Sequence, residues 1–242
     1  MLRINYTYYN NYTLLKQVIK YYEPVKDKYK FTIIDDGSQR EPLTRDMLPD
    51  WITGYRVLED HGWGNEVCRN ILMRETDCEW NALMDLDYVI KSIPDIDRLY
   101  SGFIDYKFCF QFEKGRSVDY NDFRTVIDDG RMINSFIVSK SSWHQTYGYD
   151  MTFGYLYGYD HTFFEQLDKE IVLPDSIISK IASQGAPEDW RPKPGDQTAF
   201  DDVKKQSALY ADTGYYVPGR GWNNERERLA RCIPFPKYKL IN

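Results

Sequence analysis

Residues 31–38, Phe-Thr-Ile-Ile-Asp-Asp-Gly-Ser, are the stretch that decides the fold. A short apolar and β-branched run is typical of a buried strand, and the Asp-Asp-Gly-Ser that follows ends it in a turn. A second run of the same kind, Ala-Leu-Met at residues 82–84, is interrupted by Asp-Leu-Asp at residues 85–87. Two buried strands that both end in acids predict a sheet with carboxylates along one edge.

Strand and helix patterns alternate outward from this stretch. Residues 2–9 alternate and are rich in Ile and Tyr, which predicts a first strand, and residues 12–22 carry apolar side chains at helical spacing. A further strand is predicted at residues 55–58, followed by a helix after Gly64. This order predicts an α/β protein with a mostly parallel central sheet flanked by helices, whose ligands bind beyond the carboxyl ends of the strands.

The second half of the chain has a less regular pattern. It contains β-rich runs at residues 107–112 and 132–139 and a helical pattern near residues 160–167. Five prolines and four glycines, spread through polar sequence between Pro174 and Gly221, predict long loops there. Nothing in the composition divides the 242 residues into unlike parts, so we predict a single domain.

Charge and aromatic content limit the partners of the protein. A formal charge of -6 argues against general affinity for nucleic acid phosphates. The 21 tyrosines and 6 tryptophans exceed what a core needs and suit sugar faces, although a tyrosine-rich background explains them equally well.

Cysteine spacing and hydropathy bear on location. The four cysteines are widely spaced and form no CxxC pair, which favours a reducing compartment. No apolar segment approaches the roughly 18 residues that a membrane helix needs. We therefore expect a cytoplasmic protein.

The acids at residues 85–87 are the strongest chemical signal. Two carboxylates two residues apart point to the same side of an extended chain, so Asp85 and Asp87 can converge on one hard cation. Alone, such a triplet is common, and its acids usually face water or cap a helix. Its position after a buried strand, downstream of the Asp-Gly-Ser turn and of the helix that opens at residues 62–70, makes a metal site the better interpretation.

Four motifs in this order resemble those of the family 2 glycosyltransferases and their GT-A relatives, over roughly residues 3–168. Residues 7–10, Thr-Tyr-Tyr-Asn, resemble the Pro-Thr-Tyr-Asn that ends the family's first strand. Residues 34–38 resemble its Val-Asp-Asp-Gly-Ser, and residues 64–70 its Gly-x-x-x-Ala-Arg-Asn. Asp85 and Asp87 match its Asp-x-Asp.

The resemblance implies a role for each of these residues. It places Thr7, Tyr8, Tyr9 and Asp36 against the nucleotide, with Asp36 bonding a uracil ring, and Arg69 beside the base or the diphosphate. Asp85 contacts the donor ribose. Asp85 and Asp87 together hold Mn²⁺ or Mg²⁺.

An acceptor-side motif follows at residues 153–161. Asp160 falls on the final Asp of the family's Gly-Gly-Glu-Asp motif, which supplies the catalytic base, but Tyr159 replaces the glutamate. A helix N-cap is the alternative role of Asp160, and both roles are compatible. His144 and His161 stay open as third metal ligands, and residues 218–226 as either a lid or a plain loop.

The implied protein is a single-domain GT-A glycosyltransferase of the hexosyltransferase kind. About residues 1–100 bind a nucleotide sugar, expected to be a UDP-sugar. About residues 101–242 form the acceptor-side half, which contains a smaller β-rich part and C-terminal loops. The resemblance also implies that transfer to an acceptor hydroxyl inverts the configuration at the anomeric carbon. One alternative is a nucleotidylyltransferase acting on sugar phosphates, although residues 7–11 lack the glycine and basic residue that hold a triphosphate. The other alternative is a non-catalytic carbohydrate-binding protein. The acceptor and the oligomeric state stay open.

Overall fold

The computed structural model describes residues 1–60, 62, 64–90, 107–111, 131–145, 148–149, 170–173, 178–180, 216–217, 221–222 and 236–241. Helices α1, α2 and α3 span Tyr12–Tyr22, Asn65–Glu75 and Lys140–Gln145, and short 3-10 helices span Glu23–Val25 and Arg45–Met47. Strands β1 to β12 span, in order, Leu2–Tyr8, Lys30–Asp35, Ile52–Val57, Trp80–Asp85, Tyr88–Ile90, Lys107–Gln111, Arg131–Ser139, Glu170–Leu173, Ile178–Lys180, Tyr216–Val217, Gly221–Trp222 and Tyr238–Leu240.

The predicted α/β architecture is confirmed. Eight strands form one sheet in the order β12-β3-β2-β1-β4-β7-β6-β8. Strands β3, β2, β1 and β4 are parallel neighbours, as are β6 and β8, whereas β12, β7 and the β7–β6 pair run antiparallel to their neighbours. The sheet is therefore mostly parallel, with a parallel block at its centre.

The central strands are buried on both faces, as expected for parallel strands covered by helices. In β1 every residue except Thr7 is buried, and in β2 every residue except Lys30 is buried. The first helix has the predicted bounds. The third strand begins at Ile52, three residues before the predicted start, and β4 is longer than the apolar triplet that predicted it.

The two long helices cover opposite faces of the sheet. Helix α1 packs its apolar residues on the face formed by the even-numbered residues of β1 and β4. Helix α2 packs on the other face, against Ile34, Leu83 and Phe136. The chain thus passes from β1 to β2 on one side of β1, and later returns through α2 to β4 on the other side of β1. The connections therefore reverse direction between β1 and β4. In open α/β sheets this switch point is where ligands bind.

The second half is described only in part. The strands predicted near residues 107–112 and 132–139 are present as β6 and β7. Short strands β9, β10 and β11 lie within the region predicted as long loops. The helix predicted at residues 160–167 lies outside the described residues. Within the described ranges, none of the helices has the length and apolarity to span a bilayer.

Candidate functional site

Asp85 ends β4 at the switch point, and its carboxylate is held on one oxygen. Oδ1 accepts hydrogen bonds from the Arg69 guanidinium at 2.8 Å and from the Asn65 amide at 3.0 Å, both from α2. The Asp85 backbone N–H donates to Ser135 Oγ on β7 at 3.1 Å. Among the described residues Oδ2 accepts no hydrogen bond. One oxygen of Asp85 is therefore tethered by α2.

Arg69 carries the positive charge of this site in a buried position. Its side chain is 1% exposed and lies between the rings of Phe136 and Tyr149, each 5.7 Å from the guanidinium carbon. A second guanidinium nitrogen donates to the Tyr149 hydroxyl at 2.9 Å. A planar guanidinium can make these bonds and stack at the same time, which an ammonium group cannot.

Asp36 contacts the loop that enters α2. Its Oδ2 accepts the backbone N–H of Gly64 at 3.0 Å, and its own N–H donates to the carbonyl of Tyr8 at 2.9 Å. A Cβ atom at Gly64 would lie 2.4 Å from Asp36 Oδ1, so a larger residue here would displace the Asp36 carboxylate. Asp36 thereby joins the ends of β1 and β2 to the start of α2.

Asp35 has a structural role beside it. It is fully buried, its two oxygens accept the backbone N–H groups of Ser38 and Leu43 at 2.8 Å each, and Arg56 lies 3.5 Å away. Burial raises the pKa of Asp35, although these hydrogen bonds and Arg56 act in the opposite direction. The carboxylate thus shapes the turn that presents Asp36.

Asn10 ties the end of β1 to the same turn. It has a left-handed backbone with φ of 44°, its N–H donates to Ser38 Oγ at 2.8 Å, and its side-chain oxygen accepts the N–H groups of Arg40 and Glu41. Asparagine tolerates this conformation better than most residues. The motif at residues 7–10 therefore ends in a residue that organises the loop.

The three other predicted nucleotide contacts occupy different surroundings. Thr7 stands opposite Asp85 in the β1–β4 register, and its Oγ1 is buried and, among the described residues, has no hydrogen-bond partner. Tyr9 is partly exposed and donates to Asp60 at 2.8 Å. Tyr8 lies in the core beneath α1 and donates to the Glu41 carbonyl at 2.6 Å. Its side chain is fully buried, and its nucleotide contact stays a prediction.

Asp87 lies beyond the end of β4. The prediction that Asp85 and Asp87 point the same way assumed an extended chain, but residues 86–87 form a turn before β5. Strand alternation therefore does not fix the direction of Asp87. Its charge is nevertheless near Tyr6, because it is one of the smaller causes, after burial and the neighbouring tyrosines, that raise the pKa of that phenol.

The donor set fits a divalent cation in part. Asp85 offers an oxygen that accepts no hydrogen bond from the described residues, and carboxylates are the ligands that Mg²⁺ and Mn²⁺ prefer. The described ranges contain no cluster of three His, Cys, Asp or Glu side chains. His144 is exposed on α3, and both Asp160 and His161 lie outside the described residues. The free thiols Cys68 and Cys78 are buried.

Several residues of the site were not among the predicted site residues. Asn65 and Asn70 belong to the motif at residues 64–70, but the sequence analysis assigned a role only to Arg69. Asn70 exchanges two hydrogen bonds with the backbone of Tyr149, at 2.8 and 2.9 Å. Tyr149 is distant in sequence and lies in no recognisable motif, so only the folded chain identifies it.

Comparisons with known proteins point to one fold. No sequence model of a known protein family matches the chain, and no curated protein matches it. The structure is similar to that of S. aureus TarS, at 15% identity and a TM-score of 0.58, over 86% of this chain and 39% of that one. Residues 1–349 of TarS with bound UDP-GlcNAc match at 13% identity and a TM-score of 0.52, over 76% and 59%.

A third similar structure is the mannosyltransferase PcManGT from Pyrobaculum calidifontis with GDP-Man and Mn²⁺. It matches at 13% identity and a TM-score of 0.52, over 90% of this chain and 76% of that one. This chain thus spans well under two thirds of the length of the TarS structures. At such identities the likeness concerns the fold, and the chain has the GT-A, Rossmann-like α/β fold.

Proposed function

We propose that this protein is a metal-dependent glycosyltransferase that takes a sugar from a nucleoside diphosphate donor. The observation that carries the proposal is the tethered Asp85 at the switch point between β1 and β4, beside Thr7 and Arg69. The GT-A fold, shared with structures that hold UDP-GlcNAc and GDP-Man, supports it. About residues 1–100 form the donor half of a single domain in this proposal.

The residues of this edge divide the work of donor binding. Asp36 lies where the base would enter, at the junction of β1, β2 and α2. Asp85 keeps a second oxygen that accepts no hydrogen bond from the described residues, while the buried Arg69 compensates its charge. Thr7 offers a buried hydroxyl across the register from Asp85. Tyr8 and Tyr9, at the end of β1 and just after it, remain proposed nucleotide contacts.

Asp85 and Asp87 are the proposed ligands of Mn²⁺ or Mg²⁺. A bound divalent cation would neutralise charge on the diphosphate as it departs. The tether on Oδ1 keeps the Asp85 carboxylate oriented before a cation arrives, which limits the entropy lost on binding. A UDP donor follows from the resemblance of Asp36 to the family's uracil contact, and GDP is the competing donor to test.

Asp160 is the proposed base on the acceptor side. A hydroxyl is a poor nucleophile at neutral pH, and a positioned base contributes roughly 10²–10⁴-fold to the rate. Removing the hydroxyl proton while the diphosphate leaves gives a single displacement with inversion at the anomeric carbon. Asp160→Asn should keep nucleotide affinity and lose transfer. Equal loss of both would identify a structural cap.

The donor site is tested by nucleotide binding and donor hydrolysis. The wild type should gain thermal stability with UDP or GDP, more so with Mn²⁺, because a ligand that binds only the folded state stabilises it. Asp85→Asn and Asp87→Asn should lose the Mn²⁺-dependent gain and the hydrolysis of UDP-sugar or GDP-sugar. Both keep side-chain volume and remove a ligand charge.

Asp77→Asn is the matched control. Asp77 is also paired with an arginine, Arg3 at 2.6 Å, but it precedes β4 at the opposite end of the strand. It should retain nucleotide binding and hydrolysis. A wild type that binds neither nucleotide, or an Asp87→Asn variant that hydrolyses donor at the wild-type rate, would contradict the proposal or its metal part, respectively.

A further inference from the structure

Strand β5, which begins one residue after Asp87, is bonded on one edge by tyrosine hydroxyls. Among the described strands its strand partner is β9. Its other edge meets Tyr6 of β1 and Tyr21 and Tyr22 of α1, which we call the tyrosine clamp. Three phenols therefore take the place that a second neighbouring strand would occupy.

The clamp bonds the backbone on both sides of Val89. The Tyr6 hydroxyl donates to the carbonyl of Tyr88 at 2.8 Å, and the N–H of Ile90 donates to the Tyr22 hydroxyl at 2.8 Å. The Tyr21 hydroxyl donates to the carbonyl of Ile90 at 3.0 Å. Backbone groups two residues apart point to the same side of a strand, so one edge can meet all three bonds.

The protons of the clamp have one consistent arrangement. The Tyr6 and Tyr22 oxygens are 2.9 Å apart, and each phenol has one proton. Since Tyr6 gives its proton to Tyr88, Tyr22 must donate to Tyr6 and accept from Ile90. Burial, the largest cause, raises the pKa of all three phenols, that of Tyr21 to about 12, so they stay protonated at neutral pH.

The clamp is anchored in the buried core of the donor half. Tyr6 and Tyr22 are each 1% exposed, and their rings pack 6.1 Å apart, with Phe31 5.0 Å from Tyr22. Tyr6 neighbours Thr7, which faces Asp85 in the register. The same packed unit therefore supports β1, the end of β4 and the start of β5.

We propose that the tyrosine clamp positions Asp87 for the divalent cation, an inference that rests on the proposed function. Asp87 lies in a two-residue turn between β4 and β5. The sheet holds β4 before the turn, and the clamp holds β5 after it. A loose turn would have to be ordered when the cation binds. Tyr6, Tyr21 and Tyr22 are positioning residues, since they act through the backbone next to Asp87.

The test measures nucleotide affinity with and without Mn²⁺. The nucleotide is UDP or GDP, whichever the wild type binds. The Kd without Mn²⁺ divided by the Kd with Mn²⁺ reports the contribution of the cation. Tyr22→Phe leaves the Ile90 N–H without its acceptor and should reduce this ratio about tenfold, as is usual for partners behind metal ligands. The Kd without Mn²⁺ should stay at the wild-type value.

Tyr21→Phe provides a milder variant should Tyr22→Phe fail to fold, and it should reduce the ratio in the same direction. Tyr238→Phe is the control, because it also removes one phenol bond, to Glu75 at 2.7 Å, but lies on β12. It should leave the ratio unchanged.

Each remaining outcome has one meaning. An unchanged ratio in both clamp variants overturns the clamp's role and leaves the proposed function intact. Equal weakening with and without Mn²⁺ also overturns it, because the effect would then be general. A wild type that binds nucleotide without any gain from Mn²⁺ removes the metal part of the proposed function, and the inference falls with it.

Discussion

Arg69 is a buried charge that is paired with Asp85 and bonded to the Tyr149 hydroxyl. Unlike an exposed arginine, it cannot exchange a lost partner for water, because burying an unpaired charge is costly. Its bonds to Asp85 and Tyr149 connect the carboxyl end of β4 with a segment from the second half of the chain. A single side chain thus joins two parts that are far apart in sequence.

Arg69→Lys should destabilise the protein by about 1–2 kcal/mol, since an ammonium group keeps the charge but cannot serve both partners and stack between two rings. Urea denaturation at neutral pH measures the difference. Arg45→Lys is the control: Arg45 pairs with Asp50 in an exposed position, and its replacement should change the free energy of unfolding by less than about 0.5 kcal/mol. Equal losses of unfolding free energy in both variants would contradict a special role of the buried Arg69 guanidinium.

At the scale of elements, helix α1 combines a strong start with an apolar face on the sheet. The Asn11 side chain accepts the N–H of Leu14 at 3.1 Å, which satisfies one of the orphan donors of the first turn. Leu14, Leu15 and Val18 are buried against the sheet.

Asn11→Ala should therefore lower the free energy of unfolding by about 1 kcal/mol, the usual value of an N-cap. Asn11→Asp should keep most of the stability, because aspartate caps as well as asparagine. Thermal and urea denaturation of both variants distinguish the two cases. If Asn11→Asp loses as much as Asn11→Ala, the effect comes from something other than capping.

Over the whole molecule, β4 carries an arginine-paired aspartate at each end. Asp85 and Arg69 meet at the carboxyl end, and Asp77, just before β4, meets Arg3 and Lys30 at the amino end. The Lys30 hydrogen bond and the nearby Arg3 lower the pKa of Asp77 from 3.8 to about 2. The folded state therefore prefers the charged form more strongly than the unfolded chain does.

This shift predicts how stability depends on pH. Since the pKa of Asp77 is lower in the folded state, its contribution is complete above pH 3.8 and is lost as the pH falls towards 2. At pH 7 the free energy of unfolding of the wild type should exceed that of Asp77→Asn by no more than about 1 kcal/mol, because the Asp77 side chain is 61% exposed. The two free energies should converge near pH 2.

Urea denaturation of both proteins at several pH values measures this convergence. Asp50→Asn, which removes an exposed ion-pair partner, is the control and should stay close to the wild type throughout. A difference between wild type and Asp77→Asn that persists undiminished at pH 2 would show that the charge is not its cause.

The sequence by itself determined the elements and the edge where the acids collect. Periodicity depends on neighbouring residues alone, so α1 and the β1–β4 strands followed from it, and the acids that follow β2 and β4 had to lie at one edge once those strands were parallel. Only the tertiary structure decided which of these residues face that edge. It buried the Tyr8 ring, turned the chain before Asp87 and brought Tyr149 to Arg69, because such contacts depend on packing between segments distant in sequence.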